Sequence, residues 1–255
     1  KTGYTGKGWS PGRLAPGGRT ENPAGTLYAK RTLQPPFQAI RNTDYAGNFE
    51  DFLDAMNKEK PFCFWLGTSE PHRAYENEAG KRTGKDPAKV IVPSIFPDND
   101  IVRSDILDYY VEVEHFDSMV ERAIKSLEKR GLLDNTIVVV TSDHGMPFPR
   151  AKASLYDWGS RVPLAIMWPK GIRNPGRDVK AFVNLSDLAP TFIEAAGAAL
   201  PNMMTASSLM NIFTDQKINN RDTAYIAMER HDGCREGGKG YPCRAVRTRD
   251  YLYIY

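Results

Sequence analysis

The chain has 255 residues, 41% of them hydrophobic and 25% charged, the make-up of a soluble globular protein large enough to bury a substantial α/β core. No run of about eighteen apolar residues occurs, which excludes a membrane-spanning helix of that kind. The net charge of +3 comes from 34 basic and 31 acidic residues spread along the chain. That balance suits an anionic ligand or a plain solvated surface, and the lack of a polybasic block argues against nucleic acid as a partner.

Residues 1–40 are rich in glycine and proline and read as a long irregular segment, a type that is often functional. A helix is expected at about Asn48–Lys58, with Phe49, Phe52, Leu53 and Met56 on one face. The run Pro61–Gly67 reads as a short apolar strand in which Cys63 is a small buried hydrophobe. A second irregular stretch covers 74–100. The longest helix is predicted over Arg103–Arg130, where Ile106, Tyr109, Tyr110, Val113, Phe116, Val120, Ile124 and Leu127 recur at helical spacing before Gly131. Asn135–Ser142 follows, and its β-branched run Ile137–Val140 has the pattern of a strand buried on both faces of a parallel sheet. Further strands are expected at Val162–Trp168, Ala224–Met228, Cys243–Thr248 and Tyr251–Tyr255, with a helix at Ser186–Ala196. Alternating strands and helices give an α/β fold class with a mainly parallel central sheet flanked by helices.

Ligands of open α/β sheets bind beyond the carboxyl ends of the strands. Two such ends carry chemistry: Ser69-Glu70-Pro71-His72-Arg73 and Thr141-Ser142-Asp143-His144-Gly145. An acid beside a histidine, with a second histidine at another strand end, suits a metal or acid–base site. A strand-end aspartate also serves simply to cap a turn. His115, on the long helix, and His231 read first as structural residues. Cys234 and Cys243 bracket a glycine-rich loop, and whether they pair is open.

From Thr141–Gly145 through Lys152 to Gly159-Ser160-Arg161-Val162-Pro163, the chain resembles the sulfatase family of the alkaline-phosphatase-like fold. Gly3–Trp9 is similar to that family's Gly-Lys turn, Leu185–Thr191 to its Asp-Leu-x-Pro-Thr helix, and Arg244–Thr248 to its Arg-Ala-Val-Arg-Thr strand. Pro71-His72-Arg73 and Met146–Pro149 look most like the sulfamidase group, which includes heparan N-sulfatase and bacterial sulfoglycan sulfatases. The resemblance implies hydrolysis of sulfate esters or N-sulfate on a sulfated sugar or polysaccharide, in the periplasm or outside the cell. The alternatives are a phosphatase, phosphodiesterase or phosphonate hydrolase of the same fold, or a non-catalytic glycan-binding relative.

Under this resemblance, Asp143 is a metal ligand and His144 a ligand or an immediate neighbour of the metal site. The ion is calcium (Ca2+) rather than magnesium (Mg2+), because calcium takes about six to eight mainly oxygen donors. Lys7 and Lys152 contact the sulfate and leaving-group oxygens and neutralise developing charge. His72 protonates the leaving atom, a task that a pKa of about 6.5 allows near neutrality. Arg73, Arg230 and His231 are assigned to substrate binding, and Arg161 to structure. The family's formylglycine arises in a Cys/Ser-x-Pro-x-Arg motif, which none of Cys63, Cys234 and Cys243 matches and which Ser10-Pro11-Gly12-Arg13 misses by one place. No Asp-Asp pair occurs either. Residues 1–255 are therefore expected to be one partial catalytic domain, cut at both ends, whose nucleophile and remaining ligands precede Lys1. Trp9 stands where many members carry a histidine.

Overall fold

The computed structural model describes residues 1–9, 14–57, 59–216, 221–231 and 235–255. The sequence Ser10-Pro11-Gly12-Arg13 and Cys234 lie outside the described residues. The chain divides into two compact units, Lys1–Gly131 and Leu132–Tyr255.

The first unit is built on a three-stranded parallel sheet. Strand β1 (Thr2–Gly6) lies between β2 (Thr26–Leu27) and β3 (Cys63–Gly67). The register runs from Thr2 opposite Cys63 to Gly6 opposite Gly67, so β1 and β3 end side by side on glycines. Strand β1 lay within the segment expected to be irregular. Its glycines mask it in the sequence, yet they are what lets it pack: a Cβ on Gly3 would sit 2.7 Å from the Phe52 ring.

Helix α1 (Tyr45–Asp54) covers this sheet and begins three residues earlier than its periodicity suggests. Asp44 caps it by accepting from the Gly47 N–H at 2.9 Å. The same carboxylate holds both terminal nitrogens of Arg122 at 2.8 and 3.0 Å. Phe49 and Phe52 on α1 meet Phe64 of β3, with ring centroids 4.8 Å apart in each pair. Phe52 is fully buried, and burying such a side chain contributes roughly 1.5–3 kcal/mol. Cys63 is a correction: it is exposed, as is Trp65. β3 is an edge strand that alternates, with Phe64 and Leu66 turned inward, so a continuous apolar run did not mean burial of both faces.

Helix α2 (Ala79–Arg82) packs on α3 (Asp100–Lys129), whose N-cap Asn99 accepts from the Val102 N–H at 3.0 Å. Gly131, at φ +66°, ends α3 in the left-handed conformation expected of it. The buried stripe of α3 is rotated from the predicted one. It runs through Ser104, Asp108, Val111, Glu112, His115 and Met119, while Tyr109, Val113, Phe116 and Val120 are only half-buried. Asp108 accounts for part of this stripe by accepting from the Glu78 and Gly80 N–H groups at 3.0 and 2.8 Å.

In the second unit, β4 (Val138–Thr141) pairs antiparallel with β5 (Leu164–Met167). The four residues of β4 are half-buried, which corrects the expectation of a parallel strand covered on both faces. A β-branched run reports strand propensity alone. The direction of the partner is set by the loop 142–163, which returns Leu164 beside Thr141. Strands β6 (Thr223–Met228), β7 (Cys243–Thr248) and β8 (Leu252–Ile254) form an antiparallel sheet. In chain order α4 (Asp157–Ser160) falls between β4 and β5, and α5 (Leu188–Ala195) and α6 (Met210–Phe213) fall between β5 and β6. Leu209, Ile212 and Phe213 form a core with Ile166, Trp168 and Leu188. Asp187, just before α5, is paired inside with Arg221 at 2.8 Å, and both side chains are buried.

Candidate functional site

In the first unit, β1 delivers Lys7 and β3 delivers His72 and Arg73. The two strand ends are locked by backbone alone. The Lys7 N–H donates to the Gly67 carbonyl at 2.6 Å, and a Cβ on Gly67 would sit 2.0 Å from the Lys7 carbonyl oxygen. Beyond this crossing lies a pocket of about 390 Å³ lined by Lys7, Arg41, Glu70, His72, Arg73 and Glu112, among others. Three cations and an imidazole around one cavity suit an anion that must also receive a proton.

The Nδ1 of His72 lies 2.5 Å from the Arg73 carbonyl oxygen. A carbonyl can only accept, so Nδ1 carries hydrogen and Nε2 is the nitrogen whose proton comes and goes. Arg73 places its guanidinium on Asp105, Nη1 at 2.9 Å with Nη2 on the second carboxylate oxygen, and lies 4.6 Å over the Tyr75 ring. Asp105 thus fixes its direction and raises its pKa further. Glu70 is buried and satisfied: its oxygens accept from the Arg41 N–H and the Tyr45 hydroxyl, both at 2.9 Å. That hydroxyl in turn accepts from the Ser69 N–H at 3.0 Å, tying the turn before His72 to α1.

Glu112 and His115, on the buried stripe of α3, are different. Glu112 is 3% exposed, and its Oε1 is buried with no hydrogen-bond partner; the Nε2 of His115 is likewise buried and unpartnered. Burial, helped by the Glu70 charge, pushes the Glu112 carboxyl up to about 8. Burial lowers the pKa of His115. Sequence reasoning missed Arg41 and Glu112 as pocket residues. The helical period gave no signal for Glu112, because the face that buries it is rotated from the one the sequence predicts.

In the second unit, Asp143 follows β4 by two residues and is exposed. The loop around it is tight. The Gly145 N–H donates to the Gly159 carbonyl at 2.9 Å, and a Cβ on Gly145 would lie 1.7 Å from the Trp158 carbonyl oxygen. Lys152 joins the same loop, its N–H donating to the Met146 carbonyl at 3.0 Å. The His231 ring stands edge-on to His144, with centroids 6.2 Å apart, which brings His231 beside the Asp143–His144 pair. Arg230 is engaged elsewhere, its Nη1 donating to the Gly238 carbonyl at 3.1 Å. Asp157 forks on Arg247 of β7 at 2.9 and 3.1 Å, so the Arg-Ala-Val-Arg-Thr strand anchors α4.

His144 and Asp143 fit part of a metal shell. Nδ1 of His144 lies 2.7 Å from the Gly145 carbonyl oxygen, which fixes hydrogen there and leaves the lone pair on Nε2. Nε2 lies 3.7 Å from Asp143 Oδ1, too far for a hydrogen bond. Two donors at right angles around one calcium ion lie about 3.4 Å apart, so the spacing is close to one edge of such a shell. Among the described residues no group of three or more His, Cys, Asp or Glu side chains is placed to hold a metal. Asp143 and His144 offer at most two of the roughly six to eight donors that calcium takes.

Residues 19–198 match the family model described as Sulfatase. The chain belongs to the sulfatase family. Residues 146–255 also match the model described as N-sulphoglucosamine sulphohydrolase, C-terminal. The chain is 28% identical over 206 residues to an ulvan-active sulfatase of Formosa agariphila, covering 78% of this chain and 38% of that one. It is 25% identical over 234 residues to human N-sulphoglucosamine sulphohydrolase, covering 80% and 45% respectively. It thus spans less than half the length of either relative. In fold it resembles a protein solved in complex with its substrate D-glucosamine-2-N,6-O-disulfate, with a TM-score of 0.67 at 22% identity, covering 82% of this chain and 59% of that one. The chain thus has an α/β, alkaline-phosphatase-like fold.

Proposed function

We propose that the protein hydrolyses sulfate esters or N-sulfate on a sulfated sugar, with a sugar of the glucosamine type as the first substrate to try. The observation that carries this reading is the pocket of the first unit, where Lys7, Arg41 and Arg73 surround a cavity that also holds His72. The cations bind the sulfate. His72 gives the proton on Nε2 to the departing oxygen or nitrogen as its bond to sulfur breaks. Arg73 orients the anion from its fixed seat on Asp105.

In the second unit, Asp143 and His144 would hold calcium through a carboxylate oxygen and a ring nitrogen, Lys152 would stabilise developing negative charge, and His231 and Arg230 are assigned to the sugar. Calcium, when bound, supplies charge neutralisation at sulfate oxygens. A periplasmic or secreted location belongs to the same proposal; no described helix is long and apolar enough to cross a membrane.

The test is to incubate the intact protein with calcium and either N-sulfoglucosamine or glucosamine 6-sulfate, and to measure inorganic sulfate. Release of sulfate is expected. Turnover of a phosphonate or phosphate monoester without sulfate release would overturn the reading in favour of phosphorus chemistry on this fold.

A further inference from the structure

We propose that Glu112 recognises the sugar: its carboxyl group hydrogen-bonds a hydroxyl of the sulfated sugar bound in the pocket of the first unit. The inference rests on the sulfated-sugar reading above and adds the residue that distinguishes a sugar from a bare anion.

Three observations converge on it. Glu112 lines the pocket, yet the residue is 97% buried, being 3% exposed. Among the described residues its Oε1 has no hydrogen-bond partner, and the atom is buried. An orphaned buried carboxyl oxygen is costly, and native structures rarely keep one without a use. The other buried acids of this unit have their partners: Glu70 accepts from two donors, and Asp108 from two backbone N–H groups. Glu112 serves neither as a cap nor in an ion pair.

The chemistry of the lining decides what Glu112 would meet. Lys7, Arg41 and Arg73 are the groups that attract sulfate. A carboxyl repels a sulfate oxygen when ionised and can offer it one donor when neutral. A hydroxyl can both give to a carboxyl and accept from it, so the better-matched partner of Glu112 is the hydroxyl-bearing part of the ligand. Burial beside Glu70 holds the acid neutral at pH 7, with an O–H to give as well as an oxygen to receive. The pocket volume of about 390 Å³ is in the range of small-ligand sites. A site built to hydrogen-bond a hydroxyl also rejects ligands lacking it, because its own buried group is then left unpaired.

The experiment is calorimetric titration of the intact protein and its variants with D-glucosamine-2-N,6-O-disulfate and, separately, with inorganic sulfate. Glu112→Leu should weaken binding of the sugar about tenfold or more and leave sulfate binding within about twofold. Glu112→Gln, which keeps a donor and an acceptor of the same shape, should retain most of the affinity for the sugar. Glu112→Asp withdraws the group by one methylene, should behave like the leucine variant, and replaces it if Glu112→Leu does not melt cooperatively. Unchanged sugar affinity in Glu112→Leu or Glu112→Asp overturns the proposal. Equal loss for sugar and sulfate also overturns it, since that marks collapse of the pocket, and so does a wild-type protein that binds no sugar. Binding that depends on Glu112 without release of sulfate would leave this inference standing while removing the sulfatase reading.

Discussion

At the scale of single residues, the tautomer of His72 yields the most direct kinetic expectation. With Nδ1 held by the Arg73 carbonyl, only Nε2 can deliver a proton. His72→Ala should slow sulfate release about a hundredfold on a sugar substrate, the scale of a lost general acid. The loss should shrink on nitrophenyl sulfate, whose leaving group needs little protonation; an equal loss on both would make His72 a binding residue instead. Glu112 sets a dependence of stability on pH. Its folded pKa, about 8, lies above the ordinary 4.5, so its contribution is fully present below pH 4.5 and is lost as pH rises toward 8. Glu70 and Tyr75 lie within its electrostatic reach, and the Tyr75 hydroxyl is itself pushed up by burial. His115, whose pKa is lowered, works in the opposite sense, giving stability above its ordinary value of 6.5 that is lost as pH falls. Melting temperatures of Glu112→Gln should therefore decline less than those of the wild type between pH 6.5 and 8. Parallel curves would contradict this assignment of charge.

Among the elements, the segment around α5 shows how a motif can be legible in sequence while its work is not. The stretch Leu185–Thr191 marked the family, but nothing in it announced that Asp187 pairs with Arg221 of the strand approach, 34 residues on. Asp187 also accepts from the Asn184 and Ser207 N–H groups, and Thr191 Oγ1 receives the Leu209 N–H at 2.8 Å. Removing one partner of a buried pair leaves an uncompensated charge, so Asp187→Ala should cost about 3–5 kcal/mol in chemical denaturation of the intact protein. A loss below about 1 kcal/mol would place the pair in the exposed class. The same contrast runs through the chain. Helices α1 and α3 and strands β3 to β8 were readable from period and punctuation. The glycine-masked β1, the antiparallel return of β5 and the rotated face of α3 were not, because each is fixed by a partner far away in sequence. At the candidate sites, His72, Asp143 and His144 were found from strand ends, and Lys7 from its likeness to the family's Gly-Lys turn. Arg41 and Glu112 were not, since a loop residue and a helix residue reach the pocket only through the packing of α1, α2 and α3.

At the level of the whole molecule, metal binding should appear as stability. A ligand held by the folded state alone stabilises it by about 2.7 kcal/mol at a concentration one hundred times its dissociation constant. Calcium should therefore raise the melting temperature of the intact protein relative to a chelator-treated sample, and Asp143→Ala should abolish that rise. A calcium shift of unchanged size in Asp143→Ala would move the metal elsewhere. Gly145→Ala should reduce the shift as well, because its methyl group has no room against the Trp158 carbonyl and must displace the loop that carries Asp143. The crossing of Gly67 with Lys7 has a different kind of consequence, one for inheritance. The Cα positions of Lys7 and of the turn leading to His72 are joined through main-chain atoms at 2.6 Å, with no side chain between them to enlarge or trim. Mutation can replace either functional group but has no gradual means of moving one anchor relative to the other. Divergence toward new sulfated ligands must then proceed through side chains around that fixed pair, with Arg41 and Glu112 the positions free to drift.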